Sequence, residues 1–162
     1  MIHKTIHGDE FHIDESDYEL VSKYRWRLAT EHGRKRSVRA STVYDFGGTG
    51  KRGNLAITFL LLGRPPEGFQ IDHIDGDPLN NRRSNLRVCS KRQNMFNRGM
   101  NRNNTTGYKG VIRARGNRYR AQIRADGKKV TKGWFSSPED AARAYDELPL
   151  QYHGVYGSRN FS

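Results

Sequence analysis

The residues with the greatest capacity for chemistry lie in one short stretch, IDHIDGDPLNNRRSNLRVCSKRQN, at residues 71–94. Asp72 directly precedes His73, and on a strand their side chains point to opposite sides, so irregular geometry at a loop edge is needed to bring both to one substrate. Asn94 could add an oxygen ligand to an ion held by Asp72, and oxygen ligands suit magnesium or manganese better than zinc. Such a cation neutralises charge on a phosphodiester undergoing hydrolysis, while a base activates water.

The elements that must position these residues can be read from the surrounding pattern. Apolar segments at Ile71–Ile74 and Leu86–Cys89 flank a loop rich in turn residues and predict two short strands. Ser90 followed by a glutamine three residues later is a capping-box signature, which predicts a helix beginning at Lys91. The predicted order is therefore strand, loop, strand, helix.

Other reactive residue types receive structural interpretations. Asp75 and Asp77 lie in a Gly-Asp-Pro turn, where aspartate is favoured by hydrogen bonds to the local backbone. Cys89 is the single cysteine, which excludes an intramolecular disulfide and favours a small buried apolar residue. The other five histidines lack matching partners, and no chemistry is assigned to them.

The charge of the chain indicates a polyanionic partner. Lys and Arg number 29 against 17 Asp and Glu, a formal net charge of +12. The charge is unevenly placed, because residues 1–20 carry six acids and one lysine, whereas residues 106–134 carry nine bases and one acid. This contrast predicts a directed binding surface. No apolar signal segment opens the chain and its longest apolar run is too short to span a bilayer, which predicts a soluble, cytoplasmic protein with no membrane partner.

The first part of the chain, about residues 1–68, is expected to contain a hairpin and a helix. Tyr24, Trp26 and Leu28 alternate with bases and predict a half-buried strand, followed by a turn at 31–34 and a second strand over Ser37–Tyr44. Residues 47–54 (GGTGKRGN) read as a flexible loop, and the LAITFLLL run that follows reads as a short buried helix. A basic cluster at residues 34–36 and 39 suits either a contact with a nucleic-acid backbone or a solvated turn.

The last part, residues 108–162, predicts a small sheet packed on one helix. Tyr119, Ala121 and Ile123 alternate with arginines, and Asp126-Gly127 is a strong hairpin signal before a strand at Lys128–Phe135. The sequence Ser-Pro-Glu-Asp at residues 137–140 supplies an N-cap, a proline at the first helical position and two acids, and so predicts the start of a helix. The apolar stripe of that helix includes Tyr145 and is expected to pack on the sheet. Trp134 is expected to pack in the core. Residues 99–107, rich in Asn and Gly and free of acids, read as a basic linker.

The pattern Asp72-His73, Asn85 and Asn94 resembles the HNH nuclease motif in its His-Asn-Asn form, and most resembles the HNH homing endonucleases carried by phage introns. The resemblance covers about residues 20–98. It implies that His73 is the general base and that Asp72 and Asn94 bind the metal ion, Mg²⁺ or Mn²⁺. It further implies that Asn85 belongs to the catalytic residues with His73. Asn85 is expected to hold the loop in shape and to orient His73 through hydrogen bonds.

Residues 108–161 resemble the DNA-binding domain of plant ethylene-response factors, in the GYKGV, RAQI, PEDAARAYD and closing NF segments. In that family a three-stranded antiparallel sheet lies in the major groove and presents arginine and tryptophan side chains, and an arginine can read guanine bidentately. The resemblance implies a set of DNA contacts. Plant members place arginines at the positions of Ile112 and Ala114, and Arg113 and Arg115 serve instead if the strand is shifted or bulged. The set is Lys109, Arg113, Arg115, Arg118, Arg120, Arg124, Lys129 and Tyr145, the last as a phosphate contact.

Together these readings predict an α+β protein of two domains. Residues 1–98 form an HNH nuclease domain with N-terminal antiparallel strands and a ββα-metal motif at about 70–98. Residues 99–107 form the linker, and residues 108–162 form a sheet-type DNA-binding domain. The predicted function is metal-dependent, site-specific cleavage of double-stranded DNA, one strand per active site, by a monomer or homodimer without an obligate protein partner. Two alternatives stay open: a non-catalytic DNA-binding regulator with a decayed nuclease core and, more weakly, an RNA-binding structural protein.

Overall fold

The computed structural model describes residues 1–31, 35–43 and 52–161. The chain divides into two compact units, Met1–Ser90 and Lys91–Ser162. Both are mixtures of small antiparallel sheets and short helices, in agreement with the predicted α+β class. No helix in the described ranges is both long and apolar enough to cross a membrane.

In its described residues, the first unit contains three small antiparallel sheets, β1-β2, β3-β4-β5 and β6-β7, and two α-helices. Its elements in chain order are β1 (Ile2–Lys4), β2 (Glu10–His12), α1 (Tyr18–Val21), β3 (Trp26–Glu31), β4 (Lys35–Val43), β5 (Arg52–Ala56), α2 (Ile57–Leu62), β6 (Phe69–His73) and β7 (Leu86–Ser90).

The predicted N-terminal hairpin is confirmed by the pairing of β3 with β4, from Trp26 opposite Ala40 to Glu31 opposite Lys35. Part of the predicted loop at 47–54 is wrong, because Arg52, Gly53 and Asn54 belong to β5. Pairing with the free edge of β4 draws these residues into the sheet, although their composition favours a turn. Residues 47–51 lie outside the described ranges, as do Arg34 and the side chains of Lys35 and Arg36 in the N-terminal basic cluster.

Trp26 is the centre of the first core. Its side chain is 1% exposed and its indole Nε1 donates a hydrogen bond to the carbonyl of Val21 at 2.8 Å. The alternation that predicted the strand therefore identified a core residue correctly. The same core cluster also contains the buried side chains of Phe11, Ile13, Val21, Val38, Ala40, Leu55, Ile57, Leu61 and Leu86.

The second unit is a three-stranded antiparallel sheet in the order β10-β9-β8, with a helix packed on one face. Its elements are α3 (Lys91–Phe96), β8 (Val111–Ala114), β9 (Arg118–Ala125), β10 (Lys128–Phe135) and α4 (Pro138–Tyr152). The hairpin turn has positive φ at Asp126 and Gly127, and the Ser137 hydroxyl accepts the Asp140 N–H at 3.1 Å to cap α4. These predictions are confirmed.

The unit boundary falls before α3, eight residues ahead of the predicted limit at 98. Phe96 of α3 stacks on His153 with ring centroids 3.6 Å apart, so this helix packs with the C-terminal unit. The predicted linker is also more ordered than its composition suggests. The Asn104 side chain donates to the carbonyl of Tyr108 and accepts from the backbone N–H groups of Thr106 and Gly107.

The prediction that Trp134 packs in the core is wrong, since its side chain is 58% exposed. The pairing of β9 with β10 shifts by one residue between Lys132 and Phe135. Gly133 lies within this shift at φ +60°, a conformation that glycine adopts easily and that suits a bulge. The extra residue turns Trp134 to the open face and places Phe135 against the helix side.

Gly110 is the position in the second unit where a side chain is least tolerable. Its φ is +71°, and a Cβ would lie 1.9 Å from the ring of Tyr145. We expect Gly110→Ala to lower the free energy of unfolding by about 3 kcal/mol, combining left-handed strain with overpacking. Chemical denaturation of Gly116→Ala is the matched control, because Gly116 has φ +70° with nothing within 4 Å of a Cβ. Equal losses in the two variants would exclude the steric contribution.

Candidate active site

The β6-β7 pair positions the two residues with the strongest chemical signal. Asp72 pairs across the sheet with Arg87, and His73 pairs with Leu86. Because cross-strand partners share a face, Asp72 and His73 lie on opposite faces, as the alternation predicted. His73 is the last residue of β6, so its side chain projects where the regular ladder gives way to the loop at 74–85.

Asp72 is held by a nearly buried ion pair. Arg87 donates from Nη2 and Nε to Oδ2 of Asp72, at 2.9 and 3.1 Å. The side chain of Asp72 is 9% exposed and that of Arg87 is 14% exposed. Burial and the Asp72 charge also raise the pKa of the neighbouring Cys89 thiol, so Cys89 is the protonated apolar residue that the sequence indicated.

The loop between the strands is braced by its own polar side chains. Asn85 accepts the Asp75 N–H at 3.0 Å, and its Nδ2 donates to Asp75 Oδ1 and to the carbonyl of Asn80. Asp75 accepts the Asp77 N–H, and Asp77 accepts the Leu79 N–H. The interpretation of both aspartates as turn residues is confirmed.

The hydrogen bonds to Asp75 also determine its charge. Burial raises the pKa of Asp75, but hydrogen bonds from Asn80, the Asp77 backbone and Asn85 outweigh that effect, and the net result is a pKa below the ordinary value. The loop is therefore stabilised with Asp75 ionised, which keeps a negative charge close to His73.

His73 contacts an asparagine that the sequence reasoning missed. Its Nε2 lies 3.1 Å from Oδ1 of Asn81, whose side chain is fully buried. The side-chain hydrogen bonds of Asn85 go to the loop, and the expectation that Asn85 orients His73 stays a prediction. The only sequence signal for Asn81 was its place in an Asn-Asn pair, and asparagine is common in turns for purely local reasons.

The two predicted metal ligands lie on β6 and on α3. Asn94 is in the helix that directly follows β7, within the second compact unit. The described ranges contain no cluster of three or more His, Cys, Asp or Glu side chains suited to a metal ion. The Asp72 carboxylate fits magnesium chemically, because this ion keeps several waters and often takes only one or two protein carboxylates beside substrate phosphates.

The open face of the second sheet carries four of the eight predicted DNA contacts. Arg118, Arg120 and Arg124 alternate along β9 away from the helix, and Lys129 lies opposite Arg124. The guanidinium of Arg120 lies 4.6 Å from the centre of the Trp134 ring. This cation–π contact keeps the two planar groups together on the open face of the sheet.

The remaining predicted contacts differ in placement. Arg113 pairs with Tyr119 and so lies on the helix side of the sheet, where it bonds Asn117. No bulge in the β8-β9 pairing turns it to the open face, whereas the exposed Arg115 follows the strand in a turn. Tyr145 is 3% exposed, and burial raises its pKa to about 12, so its prediction as a phosphate contact is wrong. Its ring fills the space left by Gly110.

Lys109 is partly buried and engaged within its own unit. Its Nζ donates to the carbonyl of Phe96 at 2.8 Å and to Ser158 Oγ. Burial lowers the pKa of Lys109 to about 8 from 10.5. Between these pH values the unfolded chain binds more protons here than the folded protein, so this residue makes the fold more stable as pH rises through the window.

We therefore expect Lys109→Met to remove part of the pH dependence of unfolding. Relative to the variant, the wild type should gain about 1 to 2 kcal/mol between pH 8 and pH 10.5, after allowance for solvent screening at a partly exposed site. Denaturant titrations at several pH values measure this difference, with the exposed Lys128→Met as the control. Parallel profiles for wild type and Lys109→Met would contradict the burial of this ammonium.

Comparisons with known proteins agree with this site. The HNH endonuclease family matches residues 60–96, from α2 to the end of α3. A protein of Acanthamoeba polyphaga mimivirus named as an uncharacterized HNH endonuclease is 30% identical over 143 residues, 88% of this chain and 70% of that protein. Protein 3.8 of Escherichia phage T7 is 39% identical over 64 residues, 39% of this chain and 53% of its own length. No solved structure matches the chain.

The strand-loop-strand-helix segment, its Asp-His pair and these similarities define a nuclease. The chain belongs to the HNH endonuclease family.

Proposed function

We propose that this endonuclease hydrolyses phosphodiester bonds of double-stranded DNA at specific sites, with a divalent metal ion, and cuts one strand per active site. The observation that carries the proposal is the position of His73, at the end of β6 beside the buried Asp72 and against a braced loop. At this position the orientation of the His73 imidazole is fixed while the ring stays half-exposed. A general base needs both properties, because it must contact water and substrate.

The residues of the chain divide the reaction between them. His73 takes a proton from the attacking water, and the loop organised by Asn85 keeps the imidazole at the strand edge. Arg87 holds the Asp72 carboxylate through Oδ2. Both oxygens of a carboxylate carry lone pairs, so the ion pair leaves chemical capacity for a ligand role. Asp72 and Asn94 would hold Mg²⁺ or Mn²⁺, which when bound neutralises charge on the phosphate and the leaving oxygen.

We further propose that the second unit binds the duplex through the open face of its sheet, by analogy with the ethylene-response-factor domain it resembles. Support comes from the three-stranded antiparallel topology, the helix on one face and four bases on the other. The contacting set is Arg118, Arg120, Arg124 and Lys129, with Arg115 at the adjoining turn and the exposed Trp134. Positioning of this kind fixes register on the duplex.

Cleavage of supercoiled plasmid tests the nuclease. A pool of plasmids with randomised inserts is incubated at low salt, because phosphate contacts weaken steeply as salt rises. We expect relaxed circles with magnesium or manganese and none after EDTA treatment, with activity restored by excess metal. Sequencing of the nicked ends reads out site preference.

Each part of the proposed function can be contradicted by a different result. Cleavage that persists in EDTA would refute metal dependence. Linear product formed without prior relaxed circles, by a protein that is monomeric in solution, would refute single-strand cutting. Duplex binding in a gel-shift assay without any cleavage by either metal would favour a DNA-binding regulator. Equal affinity for RNA and duplex DNA would remove the case for the sheet as a duplex reader.

A further inference from the structure

Asn81 is the buried polar side chain closest to the proposed base, and no role has so far been given to it. It is 0% exposed, in contrast to its half-buried neighbour Asn80. Its Oδ1 lies 3.1 Å from His73 Nε2, and its Nδ2 donates to the carbonyl of Pro78 at 3.2 Å. Buried side-chain amides are normally hydrogen-bonded, and the Asn81 amide has one polar partner for its oxygen and another for its nitrogen.

The partners of Asn81 determine which way its amide points. The Pro78 carbonyl can only accept, so it requires the NH₂ group of Asn81 on its side. The reversed amide would set two acceptors against each other there. Oδ1 is therefore the atom directed at the imidazole, and it too can only accept a hydrogen bond. It follows that His73 Nε2 carries the hydrogen in this contact.

The backbone of Asn81 is fixed from outside the loop. Its N–H donates to the carbonyl of His12 at 2.8 Å, and the His12 N–H donates to the carbonyl of Leu79 at 2.7 Å. His12 ends strand β2, which lies before the segment matched by the family, residues 60–96. The β1-β2 pair thus supports the loop residue that contacts the imidazole.

We propose that Asn81 is a positioning residue that holds His73 as the Nε2–H tautomer, so that Nδ1 is the nitrogen that takes the proton from water. The inference rests on the proposed role of His73 as the general base. A neutral imidazole has one donor and one acceptor nitrogen, so the partner of one nitrogen decides the function of the other. A hydrogen-bonded group behind the base fixes both its tautomer and its direction.

The first test needs no substitution in the contact. Nitrogen chemical shifts of ¹⁵N-histidine-labelled wild type, with imidazoles neutral and no metal added, distinguish protonated from unprotonated ring nitrogens. The His73 signals are assigned by their loss in His73→Ala. We expect a protonated Nε2 and an unprotonated Nδ1. The reverse pattern, or an equal mixture of tautomers, would overturn the proposal whether or not the protein cuts DNA.

Variants separate the acceptor at Oδ1 from general support of the loop. Asn81→Ala removes both hydrogen bonds, whereas Asn81→Asp retains an acceptor for Nε2–H and replaces the donation to the Pro78 carbonyl with a second acceptor. We expect Asn81→Ala to lower kcat about 10- to 100-fold with little change in KM, and to yield mixed tautomers. Asn81→Asp should recover most of the rate and keep Nε2 protonated.

Asn80→Ala is the matched loop control, because Asn80 bonds Asp75 and Arg82 but not His73. It should leave the tautomer unchanged. Equal rate losses in all three variants with an unchanged tautomer would show that Asn81 merely supports the loop, and would overturn the proposal. Failure of the proposed nuclease function is distinguishable, since it would appear as absence of cleavage by wild type while the tautomer is still read by NMR.

Discussion

His73→Ala should lower kcat for DNA cleavage by about 10²- to 10⁴-fold, the range typical for loss of a positioned general base. The equilibrium affinity for DNA should be unchanged, because the proposed binding face belongs to the sheet of the second unit. The fold should also persist, since His73 is half-buried at a strand end and removal of its ring leaves the loop bonds of Asn85 in place. Plasmid nicking under saturating metal, together with gel-shift titration, measures the two quantities separately.

A control variant and a chemical rescue test whether the effect of His73→Ala is specific to the loss of the base. His7→Ala replaces an exposed histidine with no assigned chemistry and should cut at the wild-type rate. Addition of free imidazole should restore part of the activity of His73→Ala, because it replaces the missing proton acceptor. A His73→Ala protein that retains more than a tenth of the wild-type kcat, with unaltered affinity, would remove His73 from the role of base.

Loss of either partner of the Asp72–Arg87 pair should lower the stability of the first unit strongly. The side chains of Asp72 and Arg87 are only 9% and 14% exposed. Removal of one partner therefore leaves the other charge unpaired and poorly solvated, which typically lowers the free energy of unfolding by about 3 kcal/mol. We expect this loss in Asp72→Ala and in Arg87→Met, measured by denaturant unfolding. The double variant should lose much less than the two single changes together, because neither charge is then left unpaired.

Cleavage separates the two roles of Asp72. Asp72→Ala should abolish metal-stimulated nicking and weaken manganese binding measured by titration calorimetry, because a proposed ligand is lost. Arg87→Met retains the carboxylate and should still bind manganese. If Asp72→Ala binds manganese as wild type does, the carboxylate is solely the ion-pair partner of Arg87, and the ligand assignment fails. Additive stability losses in the double variant would show that the pair is not energetically coupled.

Sequence reasoning succeeded where one local rule determined the structure. The Asp126-Gly127 turn, the Ser137 cap and the alternation along β9 each follow from backbone conformation or burial of one face. Strands β6 and β7 were found within one or two residues for the same reason. In these segments local preference and tertiary packing agree, so a single sequence carries enough information.

It failed where a distant contact or an inserted residue decided the outcome. The bulge at Gly133 reverses the alternation, and the strand prediction did not use the glycine beside Trp134, although an isolated glycine in a strand often marks a bulge. Tyr145 was assigned to the surface through family resemblance, but Gly110 on another element makes room for its ring. Asn81 became visible only once the fold brought His12 and His73 to either side of it. Such features depend on pairings between residues far apart in sequence.

The placement of the two tryptophans supplies a pair of optical reporters. The chain has two tryptophans, one in each compact unit, and their exposures differ widely: 1% for Trp26 and 58% for Trp134. Fluorescence from the enclosed indole should be shifted to the blue and should follow melting of the nuclease half. Emission from the solvated indole beside Arg120 should be redder and more accessible to iodide quenching. A Trp26→Phe protein would thus report DNA docking at the basic sheet without any added dye.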